Sequence, residues 1–220
     1  HGLFSDANTN WIKYGHAAAI VARGFRAIMP DLRAHGDSAK PHEASAYPLD
    51  VLAKDGLALV EHLGLTDYDL GGYSLGGRTT GRMLALGATP RRVIFSGMGY
   101  EGLTQNGKRI DFFRHVLTHP GAFASGSAEW LARAFLKSSD GDPKALIHIL
   151  DTFVNMTDAD LAAITQPVLV LSGKDDFDNG SAEALARALP QARYVEVPGN
   201  HMSAVVKPEL GEAIARFLAG

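Results

Sequence analysis

The chain has 220 residues, 46% of them hydrophobic, which is enough for one α/β domain with an insertion and a sizeable buried core. A net charge of −3 argues against a surface built for nucleic acid or anionic membranes, and the lack of cysteine excludes disulfides, thiolate metal ligands and a cysteine nucleophile. No uncharged apolar run reaches the ~20 residues of a membrane span and no signal peptide is recognisable, so a cytoplasmic location is expected.

The chain opens with His1-Gly2-Leu3-Phe4. A His-Gly-x-x segment ordinarily follows a buried strand, so strands are expected upstream of His1. Helical spacing over 11–22 puts Trp11, Ala18, Val21 and Ala22 on one face, and Gly24 ends that helix. Residues 25–30 read as a short strand, and 31–38 as a polar loop at its C-terminal end. A helix is predicted over 48–63, with Pro48 in its first turn and Leu52, Gly56, Leu59, Val60 and Leu63 along one face.

The stretch around which the rest is organised comes next. Residues 68–73 read as a strand, Gly72-Tyr73-Ser74-Leu75-Gly76 as a sharp turn, and 75–86 as a helix. A tight strand-to-helix turn strains the central serine, so the flanking glycines must lack side chains. The hydroxyl is then held at a helix N-terminus, where N–H groups favour developing negative charge.

After a strand at 92–96 the pattern changes. From 97 to 165 only helical runs occur, at 110–119, 127–137, 143–154 and 158–164. Strands resume at 167–172 and 192–197, separated by a helix over 182–189; a loop at 198–201 and a helix at 208–219 close the chain. Five strands alternating with helices predict an α/β fold with a mostly parallel sheet and helices on both faces. The domain reading is a core of 1–99 and 166–220 with a helical cap at 100–165.

In such a sheet, ligands meet the loops beyond the strands' C-terminal ends. Those loops carry His1-Gly2-Leu3, Ser74, Asp175-Asp176 and His201. The order serine, acid, histidine is that of the α/β-hydrolases. Five segments carry the resemblance in order: 1–4, 31–38, 72–77, 171–176 and 198–201. The chain resembles the α/β-hydrolase superfamily throughout, in a capped, serine esterase- or lipase-like form.

The resemblance implies a catalytic triad. Ser74 is the expected nucleophile and needs a base within hydrogen-bond reach. His201, after the final strand, is the candidate base. The family's Gly-x-x-Asp pattern puts the orienting acid on Asp176, with Asp175 and then Asp178 as competitors. The residue after the nucleophile, Leu75, supplies one oxyanion-hole N–H, and the resemblance puts the other on Leu3. Phe4, Tyr73, Trp130 and Met202 are candidate pocket residues; of the cap aromatics Phe112, Phe113, Trp130, Phe135 and Phe153, one or two are expected to wall the pocket. Asp31 and His35 fall short of a zinc ligand set and are read as bracing a loop.

The expected activity is hydrolysis of a small or medium carboxylic ester, or a related acyl compound, with no metal or cofactor and a small-molecule acyl substrate as partner. Serine at position 74 argues against the aspartate-dependent dehalogenases and epoxide hydrolases of this fold. Met202 weakens carbon–carbon hydrolysis, since those enzymes carry an aromatic residue after the histidine. Lactonase, thioesterase and cofactor-free perhydrolase chemistry stay open, as does a ligand receptor that keeps the triad. Oligomeric state is left open.

Overall fold

Val-Leu-Val-Leu at 168–171 can bury side chains on both faces of a strand, and it does so at the centre of a parallel sheet. The computed structural model describes residues 1–105 and 107–220. Its strands are β1 (Leu70–Tyr73), β2 (Val93–Ser96), β3 (Val168–Gly173) and β4 (Ala192–Val197), in the order β1-β2-β3-β4 with every pairing parallel. Val93, Phe95, Val168 and Val170 enter one apolar cluster with Leu185. Ile94, Leu169 and Leu171 face the other way, onto Leu210, Ile214 and Leu218. Each fully buried aliphatic side chain contributes about 1.5–3 kcal/mol, so these central strands fix the frame.

The helices are α1 (His16–Val21), α2 (Val51–His62), α3 (Leu75–Ala85), α4 (Tyr100–Thr104), α5 (Gly107–Thr118), α6 (Ala128–Ser138), α7 (Pro143–Leu150), α8 (Asp158–Ala162), α9 (Ala182–Ala188), α10 (His201–Ala204) and α11 (Pro208–Leu218). Five of them, α4 to α8, lie between β2 and β3. Val116, Leu136, Ala145, Leu146 and Ile149 from this insertion share one cluster with Phe4, Val51, Leu52 and Leu75. The inserted helices therefore complete their core against the first half of the chain.

Several expectations are corrected. The strand expected at 25–30 is absent, leaving four strands among the described residues; a ladder needs a neighbour, and none there offers this segment one. The helix expected at 11–22 is broken by Gly15 at φ 83°, which separates a π-type turn, Asn8–Ile12, from α1 and leaves Val21 exposed. Helix α2 starts at Val51, beyond Pro48, because Asp50 is left-handed and its carboxylate is held by Arg82 at 2.8 and 2.9 Å. The insertion holds a helix at Tyr100–Thr104 that periodicity did not suggest, and α7 ends at Leu150 instead of running to 154. The loop expected at 198–201 stops short of His201, which opens α10 with Asn200 as its N-cap.

Candidate active site

The turn between β1 and α3 places Ser74. Its backbone is strained, at φ 53° and ψ −110°, and its N–H is tied to the Ser96 carbonyl at 2.8 Å. A Cβ on Gly72 would lie 2.1 Å from the Gly76 carbonyl carbon, so only glycine permits the turn. The Gly76 N–H donates to the His1 carbonyl at 2.9 Å, which docks the His1-Gly2-Leu3 segment beside the serine. Asn10 Oδ1 accepts the Gly2 N–H at 3.1 Å and reinforces that docking.

Ser74 Oγ lies 3.0 Å from Nε2 of His201. Nδ1 of the same ring faces both carboxylate oxygens of Asp176, at 2.9 and 3.0 Å. Nδ1 therefore carries the hydrogen, and Nε2 is left to accept from the serine hydroxyl. All three residues are buried. Asp176 is carried by the tight turn after β3, its N–H bonded to the Gly173 carbonyl at 3.0 Å. Asp175 and Asp178 on the same loop are exposed. His201 is held by the Asn200 cap, which accepts from Met202 and Ser203 N–H, and by the Tyr73 hydroxyl, which donates to the His201 carbonyl at 2.6 Å. Burial pushes the Tyr73 phenol well above its ordinary range, so it stays a donor.

The N–H groups of Leu3 and Leu75 have no acceptor among the described residues. They belong to the two segments that meet at the serine, joined by the bond from the Gly76 N–H to the His1 carbonyl.

A narrow cleft, with about 40 Å³ of room for water-sized centres, opens over Ser74. Its walls include Leu3, Leu75, Met98, Ile110, Phe113 and Phe153, with Arg78, Arg109 and Asn179 as polar members. None of Phe4, Tyr73, Trp130 and Met202 lines it. Phe4 lies behind Phe113, ring to ring at 5.3 Å; Tyr73 braces His201 from below; Trp130 and Met202 are 42% and 51% exposed. Trp130 misleads because α6 turns Ala132, Phe135 and Leu136 inward, an i, i+3, i+4 face that leaves Trp130 outside.

Arg78, Arg109 and Asn179 went unread in the sequence. Arg78 projects from α3 and donates to the carbonyls of Gly102, Leu103 and Val154 and to Asn155 Oδ1. Burial lowers its pKa to about 10, so it remains cationic at neutral pH. The available signal was an arginine four residues past the serine on an otherwise small or apolar helix start. In the loop after residue 30, Asp31 is filled by the N–H groups of Ala7 and Asp37, at 2.7 and 2.8 Å. Burial lowers the pKa of His35 to about 4, keeping the ring neutral.

A parallel α/β sheet carrying serine, acid and histidine in that chain order, beyond the strand ends, defines the class. Residues 1–210 match the model of the alpha/beta hydrolase family, and the chain belongs to that family. It is 28% identical over 216 residues to a non-heme haloperoxidase of Rhodococcus erythropolis, spanning 82% of this chain and 76% of that protein. Among solved structures it is similar to a bromoperoxidase from Bacillus anthracis (TM-score 0.71, 24% identity, 100% of this chain and 90% of that one). It is also similar to an esterase from Exiguobacterium antarcticum (TM-score 0.73, 20% identity, 100% and 90%). At these identities the two structures speak for the fold. No helix among the described residues is long and apolar enough to cross a membrane.

Proposed function

We propose that this α/β hydrolase is a serine esterase that cleaves a small or medium carboxylic ester through an acyl-enzyme, with residues 100–165 acting as a cap over the site. The observation that carries the reading is one imidazole bridging a buried hydroxyl and a buried carboxylate at 3.0 and 2.9 Å. His201 takes the Ser74 proton as Oγ attacks the carbonyl carbon. The oxyanion that forms is received by the N–H groups of Leu3 and Leu75. His201 then gives the proton to the leaving alcohol. Water, deprotonated by the same ring, attacks the acyl-enzyme, the C–Oγ bond breaks, and the proton returns to Oγ. Asp176 holds the imidazole in the required tautomer and stabilises its protonated form.

The test is turnover of p-nitrophenyl acetate and butyrate together with labelling by a serine-directed phosphonate. The expected result is one phosphonate per chain on Ser74, and loss of about 10⁶-fold in kcat in Ser74→Ala, near the limit set by deleting a triad nucleophile. Labelling elsewhere, or an alanine variant as active as the parent, would sink the reading.

The haloperoxidase relative favours a second reading on the same residues, in which hydrogen peroxide replaces water and the acyl group leaves as a peracid. Peracid formation from a carboxylic acid and hydrogen peroxide, outpacing ester hydrolysis at matched concentrations, would select it.

A further inference from the structure

Asn179 lies three residues beyond Asp176, and its side chain turns back under the nucleophile. Its Nδ2 donates to the Gly97 carbonyl at 2.8 Å and approaches Ser74 Oγ at 3.4 Å. The residue is 8% exposed and forms part of the cleft wall. Its backbone is held by the neighbouring segment. Its carbonyl accepts the Gly102 N–H at 2.9 Å, and a Cβ on Gly102 would come within 2.8 Å of the Asn179 Cβ. The amide is thus anchored at one N–H and has its second N–H to give to Oγ.

We infer that Asn179 is a fourth catalytic residue, one that acts mainly on release of the acyl group. The inference rests on the serine-esterase reading above. A serine hydroxyl has one hydrogen and two lone pairs. The hydrogen goes to His201 and one lone pair meets the Asn179 N–H, which leaves a single lone pair for the substrate carbonyl. In the acylation step the extra donor gives little, because it draws electron density from the attacking oxygen. In deacylation the direction reverses. Water has added to the acyl carbon, the C–Oγ bond breaks, the bonding pair moves onto Oγ, and His201 supplies the proton. An N–H at Oγ stabilises that departing oxygen as charge builds on it. Hydrogen bonds of this kind, long in the resting enzyme, shorten as the acceptor becomes more negative.

The experiment uses Asn179→Leu, similar in volume without the donor, and p-nitrophenyl acetate, whose good leaving group makes acylation fast. Expected are kcat and KM falling together by about tenfold while kcat/KM stays within about twofold, the size of one charge-assisted hydrogen bond lost from a single step. A pre-steady-state burst of nitrophenol should approach one per chain as acyl-enzyme accumulates. Asn179→Ala, which removes the amide without adding bulk, should give the same pattern and carries the test if the leucine variant folds poorly. Loss of kcat/KM in step with kcat in both variants would show a packing role and overturn the inference, as would unchanged kcat. A parent enzyme that neither labels at Ser74 nor forms an acyl-enzyme overturns the esterase reading itself. A parent that does both, beside variants with parental kcat, overturns only the role of Asn179.

Discussion

Ser74 and Phe113 face the same cleft but are held there by different forces. Ser74 is placed by main chain: a strained backbone, its own N–H given to the Ser96 carbonyl on the neighbouring strand, and glycines that let two segments touch. Phe113 is placed by side chains. Its ring meets Phe4 at 5.3 Å and Phe112 at 5.2 Å, and the Arg109 guanidinium lies 5.0 Å from its centroid. Backbone placement tolerates almost no substitution at the positions that create it, whereas side-chain placement can be redistributed among neighbours. The sheet edge can therefore hold a reaction geometry, and the inserted helices can vary the shape above it.

After loss of the nucleophile itself, the largest expected effect tests the sheet side of this contrast. Asp176→Asn keeps the volume but turns an N–H toward the His201 Nδ1 and favours the wrong tautomer. A loss of about 10⁴-fold in kcat is expected with the melting temperature nearly unchanged. Asp175→Asn, on an exposed neighbour, should leave kcat within about twofold. The reverse ranking would move the acid to Asp175 and leave the 2.9 Å contact without a catalytic role.

The two regions meet at Arg78. Rooted in α3, it reaches the carbonyls of Gly102, Leu103 and Val154 and so ties the inserted segment's two ends to the nucleophile helix. Arg78→Met keeps the apolar stem and strips those bonds. Leaving buried carbonyls unsatisfied costs about 1–3 kcal/mol, and the loss should appear as faster amide exchange across 100–156 while β2 and β3 keep their protection. KM should rise about tenfold as the cleft loosens, with a smaller change in kcat. Equal loss of protection in β3 would show that Arg78 supports the whole domain and not the joint.

The same contrast explains what could be read from the sequence. The serine turn announced itself because close backbone contact demands glycine at fixed positions, and β3 did so because burial on both faces demands an unbroken apolar run. The histidine and acid were legible through their place beyond the last two strands. The cleft walls were legible only in part: of the five aromatics of the inserted segment expected to supply one or two walls, Phe113 and Phe153 do so, but nothing in the sequence singled those two out. Arg78, Arg109 and Asn179 act through reach across long sequence separations, and no local pattern encodes the partner that a long or polar side chain will find. The 25–30 segment failed for a related reason: an apolar run shows that a strand is possible, while its ladder depends on a neighbour the run does not name.

The smallest expected effect probes the inserted helices directly. Trp130 sits in the first turn of α6, where Ser127 Oγ accepts its N–H at 3.1 Å, and its indole looks outward. Met202 follows His201 but points to solvent at 51% exposure. Trp130→Ala and Met202→Ala should each change kcat/KM by less than about twofold, whereas Phe113→Ala, which opens the cleft wall, should lower it about tenfold, the worth of a substantial apolar contact. Melting curves separate the two causes: Phe113→Ala is expected to lose stability as well, because its ring also supports Phe4. A tenfold loss in Trp130→Ala with an unchanged melting temperature would put α6 on the substrate's path, and side-chain placement would then govern far more of the recognition surface than the cleft walls alone.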